Sequence, residues 1–305
     1  MPISFPKILP EHPCIAIVAP SGAALDDTNI DAGLDALTRA GFKLINYYRH
    51  IDRFERFGTT DQGRLDQLHA AIDNPEVDIV MGLRGSYGLS RILPNINLQK
   101  IASSGKWLVG YSDFNALQLA MLAKTDTASL CGPMLCNDFT REELRPFTQD
   151  QFLKALRERK TYLEFESDQD ANVNVEGKLW GGNLAMICHL LGTEYFPNIE
   201  GGILFVEDIA EHPYRVERML LQLHMAGVLA KQKAIVLGNF SAYRLAPQDN
   251  GYDFAAMLKF LRATIETPIV TGLPFGHCDD KASLMQGSIA YLSVNDTQVK
   301  LTAEF

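Results

Sequence analysis

The 305-residue chain has no apolar run approaching the roughly eighteen residues that a bilayer-spanning helix needs, which gives no expectation of a membrane anchor. Its first residues, Met1-Pro2-Ile3-Ser4-Phe5-Pro6-Lys7, lack the charged region, apolar core and cleavage site of a secretory leader, so a cytoplasmic protein is expected. Cysteine is scarce. Cys14, Cys131, Cys136, Cys188 and Cys278 are odd in number and widely scattered, which argues against a disulfide framework and against a C-x-x-C metal site. Basic residues are outnumbered, 28 Lys and Arg against 37 Asp and Glu, and a formal charge of −9 disfavours nucleic acid as a partner. Neither G-x-x-x-x-G-K-[ST] nor a G-x-G-x-x-G after the first strand is present, so no nucleotide cofactor is expected. What remains is a globular composition, 47% hydrophobic, long enough for two packed domains.

Strands and helices alternate through the first half. Cys14-Ile15-Ala16-Ile17-Val18-Ala19-Pro20 reads as a buried strand, followed by a helix from about Asp27 to Ala40 that Gly41 closes. Lys43 to Tyr48 and Val77 to Leu83 read as strands flanking a helix from Gln62 to Ile72. This βαβ order predicts an α/β protein with a parallel, doubly wound sheet, whose ligands bind beyond the carboxyl ends of the strands. The turns after Pro20, Leu83 and Tyr111 are therefore predicted to share one rim. The polar run Glu166-Ser167-Asp168-Gln169-Asp170 suggests an inter-domain linker, dividing the chain into 1–165 and 166–305. A closing β-hairpin is predicted from Ser288 to Val294 and Thr297 to Ala303, turning at Asn295-Asp296.

Chemistry concentrates at Trp107-Leu108-Val109-Gly110-Tyr111-Ser112-Asp113-Phe114. A strand runs into Gly110 and an apolar helix starts after Ser112, which exposes that hydroxyl at a strand-to-helix turn beside unpaired N–H groups. This is the placement of a nucleophile elbow, although Phe114 stands where G-x-S-x-G has its last glycine. A simple helix cap by Ser112, with Asp113 as first-turn acid, is the competing reading. The turn Arg84-Gly85-Ser86-Tyr87-Gly88 has two glycines that let backbone N–H groups approach a ligand, so it can form half of an oxyanion hole or be an ordinary turn.

A serine hydroxyl needs a base and a group to orient it. Of the seven histidines, His277 alone follows a strand and a rigid Pro274-Phe275-Gly276 turn. Glu207 and Asp208 end the apolar strand Gly202 to Asp208. Because successive strand residues face opposite ways, they are not expected to reach one partner together, and Glu211 competes with both as the orienting acid. Trp180, in Leu179-Trp180-Gly181-Gly182-Asn183, can pack in the core or wall the substrate cleft.

Together, Ile17-Val18-Ala19-Pro20-Ser21-Gly22, the Arg84 to Gly88 turn, Gly110-Tyr111-Ser112-Asp113, Gly132-Pro133-Met134, Leu179 to Asn183, Val206-Glu207-Asp208-Ile209, Glu211 to Leu220 and Phe275-Gly276-His277 closely resemble the LD-carboxypeptidase family. They look most like its bacterial muramoyltetrapeptide carboxypeptidase branch. The resemblance implies a Rossmann-like amino-terminal domain and a smaller α/β carboxyl-terminal domain with the active site between them. It implies a serine peptidase, free of cofactor and metal, with Ser112 as nucleophile, His277 as base and Glu207 as orienting acid. The oxyanion donors are then the N–H groups of Asp113 and Ser86, the latter standing where the family usually has glycine. Arg84, Trp180 and Asn183 are the candidate substrate contacts. The implied substrate is a murein tetrapeptide that loses its terminal D-alanine during cell-wall recycling, with a homodimer left open. The related microcin self-immunity peptidases, acting on peptidyl- or aminoacyl-nucleotide amides, and a non-catalytic murein-peptide sensor are the alternatives.

Overall fold

The computed structural model describes residues 3–305. Two sheets organise it. The first has six strands in the order β10-β5-β4-β3-β1-β2: β1 (Cys14–Val18), β2 (Lys43–Asn46), β3 (Ile79–Gly82), β4 (Trp107–Gly110), β5 (Ser129–Cys131) and β10 (Leu284–Gln286). All its neighbours pair in parallel except β10, which returns from the far end of the chain to lie antiparallel to β5. The second sheet runs β11-β6-β7-β8-β9, with β6 (Lys160–Asn183), β7 (Ile203–Ile209), β8 (Ala234–Ser241), β9 (Ile269–Val270) and β11 (Ile289–Glu304); only β11 is antiparallel. This is a two-domain α/β fold.

The helices follow the sequence signals closely. α1 (Ile30–Arg39) starts at Asn29, whose side chain accepts from the Ala32 N–H, and is followed by Gly41 at φ +97°. α2 (Asp61–Asp73), α3 (Leu89–Ile92) and α4 (Leu98–Ser104) complete the early crossovers. α5 (Asn115–Thr125) is buried continuously from Asn115 to Leu122, as a helix apolar nearly all round must be. It lies between the domains, in one continuous core that also holds Trp180 and Leu184 of β6 and α7 (Leu184–Leu190) and Phe205 of β7. α6 (Pro146–Glu158), α8 (Pro213–Met225) and α9 (Phe254–Thr264) cover the outer faces, with Val216, Leu220 and Leu223 of α8 turned inward.

Two sequence expectations are corrected. The polar run at 166–170 is part of strand β6 rather than a loop. Its register is held by polar partners: Arg262 pairs with Asp168 at 2.7 Å, and the Thr271 hydroxyl donates to the same carboxylate at 2.5 Å. An apolar periodicity search passes over a ribbon stabilised in this way. The closing hairpin is also absent. β11 is one strand of 16 residues paired along β6, and Asn295-Asp296 marks a register shift, with Asp296 at φ +55°, where a turn had been expected.

Candidate active site

The sheet order β4-β3-β1 brings three strand ends together, as the topology predicts. Gly22 N–H donates to the Gly85 carbonyl at 3.0 Å, joining the turns after β1 and β3. A Cβ added to Gly85 would fall 2.6 Å from Ser112 Oγ and 3.3 Å from Asp113 N, so the turn after β3 lies directly against the turn after β4. Only glycine permits that approach. Two buried side chains hold the three turns in register. Asp113, 2% exposed, accepts from Ser21 Oγ at 2.5 Å and from Leu89 N–H at 2.9 Å. Burial pushes its carboxyl pKa up, opposed by those two hydrogen bonds. Arg64, fully buried, donates to the carbonyls of Pro20 and Gly88 and pairs with Asp61 at 2.7 Å. Nothing in the hydrophobic pattern of α2 separates this arginine from a solvated one.

Ser112 begins a short 3₁₀ turn, Ser112–Phe114, that leads into α5, and its φ is +62°. A non-glycine residue in the left-handed region costs on the order of 1–3 kcal/mol, and such strain clusters at functional turns. The first N–H groups of this turn have no intrahelical acceptor, which leaves them available to a ligand. Ser112 caps nothing through its side chain: among the described residues, Oγ makes no hydrogen bond. Ser86 also has positive φ, +82°, the conformation that suits a glycine.

The second domain brings a carboxylate and an imidazole together, and the imidazole packs on the residue that precedes Ser112. His277 Nδ1 lies 2.7 Å from Glu207 Oε2, with Glu207 fully buried and His277 16% exposed. Gly276, at φ +120°, allows this: a Cβ there would meet Glu207 Oε2 at 2.7 Å. The His277 ring packs edge-on to Tyr111, the residue before Ser112, with centroids 5.0 Å apart. Both line a cleft of about 480 Å³ that also receives Arg141 and Ile209.

Asn183 joins the acids. Its Nδ2 donates to Glu207 Oε1 at 3.2 Å and to Asp208 Oδ1 at 3.0 Å, so both carboxylates do reach one partner, contrary to the alternation rule. The β7–β8 ladder shifts register at this point, the step from Val206 to Asp208 on β7 facing the longer step from Leu237 to Phe240 on β8. Asp208 also accepts from Ala185 and Ile209 N–H groups. Burial, and then the Glu207 charge, push its pKa up to about 6. The folded state thus holds the Asp208 proton more tightly than the unfolded chain does. From about pH 4 to pH 7, wild type should lose stability relative to Asp208→Asn by on the order of 3 kcal/mol. Urea titrations at several pH values measure this difference, and a pH-independent gap would refute it.

The candidate substrate contacts sort differently from expectation. Trp180 is fully buried and its indole N–H donates to Gln232 Oε1 at 2.9 Å, so it belongs to the core rather than to a cleft wall. Asn183, 5% exposed, is committed to the two carboxylates and to capping α7. Arg84 is half-buried and donates to the Ala23 carbonyl at 3.0 Å. Glu211 pairs with Arg215 at 3.6 Å, whereas Glu207 is the acid on the imidazole.

The sequence reading passed over Lys281. This fully buried ammonium pairs with Asp138 at 2.7 Å, both side chains 1% exposed, and lies 3.9 Å from the centroid of the Tyr111 ring. The same loop is tied to the first domain by Arg141–Asp279 and Arg145–Asp280 and by the Thr148 hydroxyl, which accepts from Lys281 N–H. Lys281→Met would strand the Asp138 carboxylate and should cost about 3–5 kcal/mol of stability. Adding Asp138→Leu should recover most of that in denaturant titrations. An undisturbed single variant would show that the pair does not hold the loop.

An imidazole–carboxylate pair of the second domain, packed against the residue that precedes Ser112 at a strand-to-helix turn of the first, is an arrangement that can serve hydrolysis. The chain belongs to the LD-carboxypeptidase family: residues 15–132 match its N-terminal domain and residues 176–292 its C-terminal domain. A solved muramoyltetrapeptide carboxypeptidase from Oxalobacter formigenes is 46% identical, with a TM-score of 0.91 over 96% of this chain and 99% of that one. The murein tetrapeptide carboxypeptidase of Pseudomonas aeruginosa is 30% identical over 92% of this chain and 93% of its own length. The microcin C7 self-immunity protein MccF of Escherichia coli is 26% identical over 90% and 88% respectively.

Proposed function

We propose that this protein is a serine-type carboxypeptidase that releases terminal D-alanine from murein tetrapeptides, acting in the cytoplasm on recycled cell-wall fragments. Ser112 Oγ attacks the carbonyl that joins an L-configured centre to D-alanine, and His277 Nε2 takes the hydroxyl proton. Glu207, bound at Nδ1, fixes the tautomer that leaves Nε2 basic and stabilises the imidazolium. The N–H groups of Asp113 and Ser86 receive the oxyanion. Collapse of the tetrahedral intermediate breaks the C–N bond, and the imidazolium returns its proton to the departing amine. Water, deprotonated by His277, then attacks the acyl-enzyme, releases the tripeptide and restores Ser112.

The observation that carries this reading is the 2.7 Å contact between His277 Nδ1 and Glu207 Oε2 in the cleft shared with Tyr111. Ser112 and His277 form no hydrogen bond with each other among the described residues, and such contacts often tighten only when substrate binds. The names of the two murein peptidases above support the choice of substrate. The nucleotide-amide alternative relied on Trp180 for stacking, and its burial withdraws that support.

The test is mass-spectrometric detection of D-alanine released from L-Ala-γ-D-Glu-meso-diaminopimelate-D-Ala, with the all-L terminal peptide as control. Release from the D-terminal peptide alone is the expected result. No release from either peptide would count against the peptidase reading, and binding without cleavage would favour a sensor.

A further inference from the structure

An enzyme that removes one terminal residue must recognise a carboxylate located one residue, roughly 3.6 Å of extended chain, beyond the bond it cuts. The cation for this task is not evident from the Arg84 to Gly88 turn alone, because Arg84 is directed to the Ala23 carbonyl. A second arginine reaches the same turn from elsewhere. Arg56, exposed on the segment before α2, donates from Nη2 to Ser86 Oγ at 2.9 Å, and its guanidinium lies 5.9 Å from the centroid of the Tyr87 ring. Its backbone is fixed as well, the Arg56 carbonyl accepting from Ala23 N–H at 3.0 Å.

Apart from Arg84, which donates to a backbone carbonyl, the arginines that flank the rim are engaged with acids: Arg64 and Arg91 with Asp61, Arg141 with Asp279. Among the described residues no carboxylate pairs with Arg56, so its charge is unneutralised and its remaining N–H groups are free to bind a ligand. Ser86 directly follows Gly85, where an added Cβ would fall 2.6 Å from Ser112 Oγ, so the turn that holds Arg56 is the one packed against Ser112. The left-handed φ of Ser86 also gains a rationale: a glycine would suit the backbone better but would offer no hydroxyl to hold Arg56.

We propose that Arg56, positioned by the Ser86 hydroxyl, binds the terminal carboxylate of the peptide and makes the enzyme selective for a free carboxyl terminus. This rests on the peptidase reading above. A guanidinium–carboxylate contact is charge-assisted and is lost when the substrate ends in an amide.

The experiment compares kcat/KM for the tetrapeptide with a free carboxyl terminus against its carboxamide, in wild type, Arg56→Gln, Arg56→Lys, Ser86→Gly and Arg84→Gln. Arg56→Gln should raise KM for the acid roughly 10- to 100-fold and reduce the acid-to-amide preference by a similar factor. Arg56→Lys should restore part of that preference. Ser86→Gly, which keeps the backbone N–H but releases the guanidinium, should move it in the same direction as Arg56→Gln and less far. If Arg56→Gln slows acid and amide equally, or if Arg84→Gln removes the preference instead, the proposal is overturned while the peptidase reading stands. Cleavage of neither peptide by wild type would overturn both.

Discussion

Ser112→Ala should lower kcat on the murein tetrapeptide by roughly four to six orders of magnitude, with substrate affinity little changed. On the proposed mechanism the loss is large because His277 acts only through the Ser112 oxygen, leaving the residual effect of binding and the oxyanion donors. Folding should survive: Oγ forms no hydrogen bond among the described residues, so removing it strands no buried partner, and alanine inherits the same left-handed φ. Thermal unfolding within about 0.5 kcal/mol of wild type is expected, as for substitutions that break no structural feature. Single-turnover mass spectrometry of both proteins is the measurement. A variant that retained most of its activity would remove Ser112 from the mechanism.

Glu207→Gln should reduce kcat by roughly three to four orders of magnitude, by the tautomer argument that governs such pairs. The two oxygens of Glu207 serve two donors, His277 at Nδ1 and Asn183 at Nδ2. A glutamine has one oxygen and one amide nitrogen. If its oxygen faces His277, its nitrogen confronts the Asn183 amide; if its nitrogen faces the imidazole, Nδ1 becomes an acceptor, the proton moves to Nε2 and the base is lost. Stability should fall as well, by about 1–3 kcal/mol for a buried donor left unsatisfied. Parallel kcat and urea measurements separate the two effects. A kcat within tenfold of wild type would mean that the carboxylate does not set the tautomer.

Much of this protein follows from local order along the chain. The apolar runs of β1, β3 and β4 and the helical spacing between them define a parallel α/β sheet, because a strand buried on both faces and a crossover helix each have their own periodicity. That order also puts Ser112 at a strand-to-helix turn and places three turns on one rim. The resemblance to the LD-carboxypeptidases then names Glu207 and His277.

Only the tertiary structure decided which groups meet. Glu207 and His277 stand 70 residues apart, and Asn183 reaches both Glu207 and Asp208 where the β7–β8 ladder shifts register, a feature that no residue pattern announces. The places of Trp180 and Lys281 were settled in the same way. Trp180, which could pack or wall a cleft, is in the core, while Lys281, which no motif singles out, is buried against Asp138 beside Tyr111. Strand β10 gave no signal, and although both halves of β11 read as strands, their pairing along β6 rather than with each other did not, since these strands are held by partners distant in sequence. Periodicity records how a residue relates to its neighbours a few positions away. The choice among carboxylates, and the burial of a charge, depend on atoms that only the packed domains bring within 3 Å of one another.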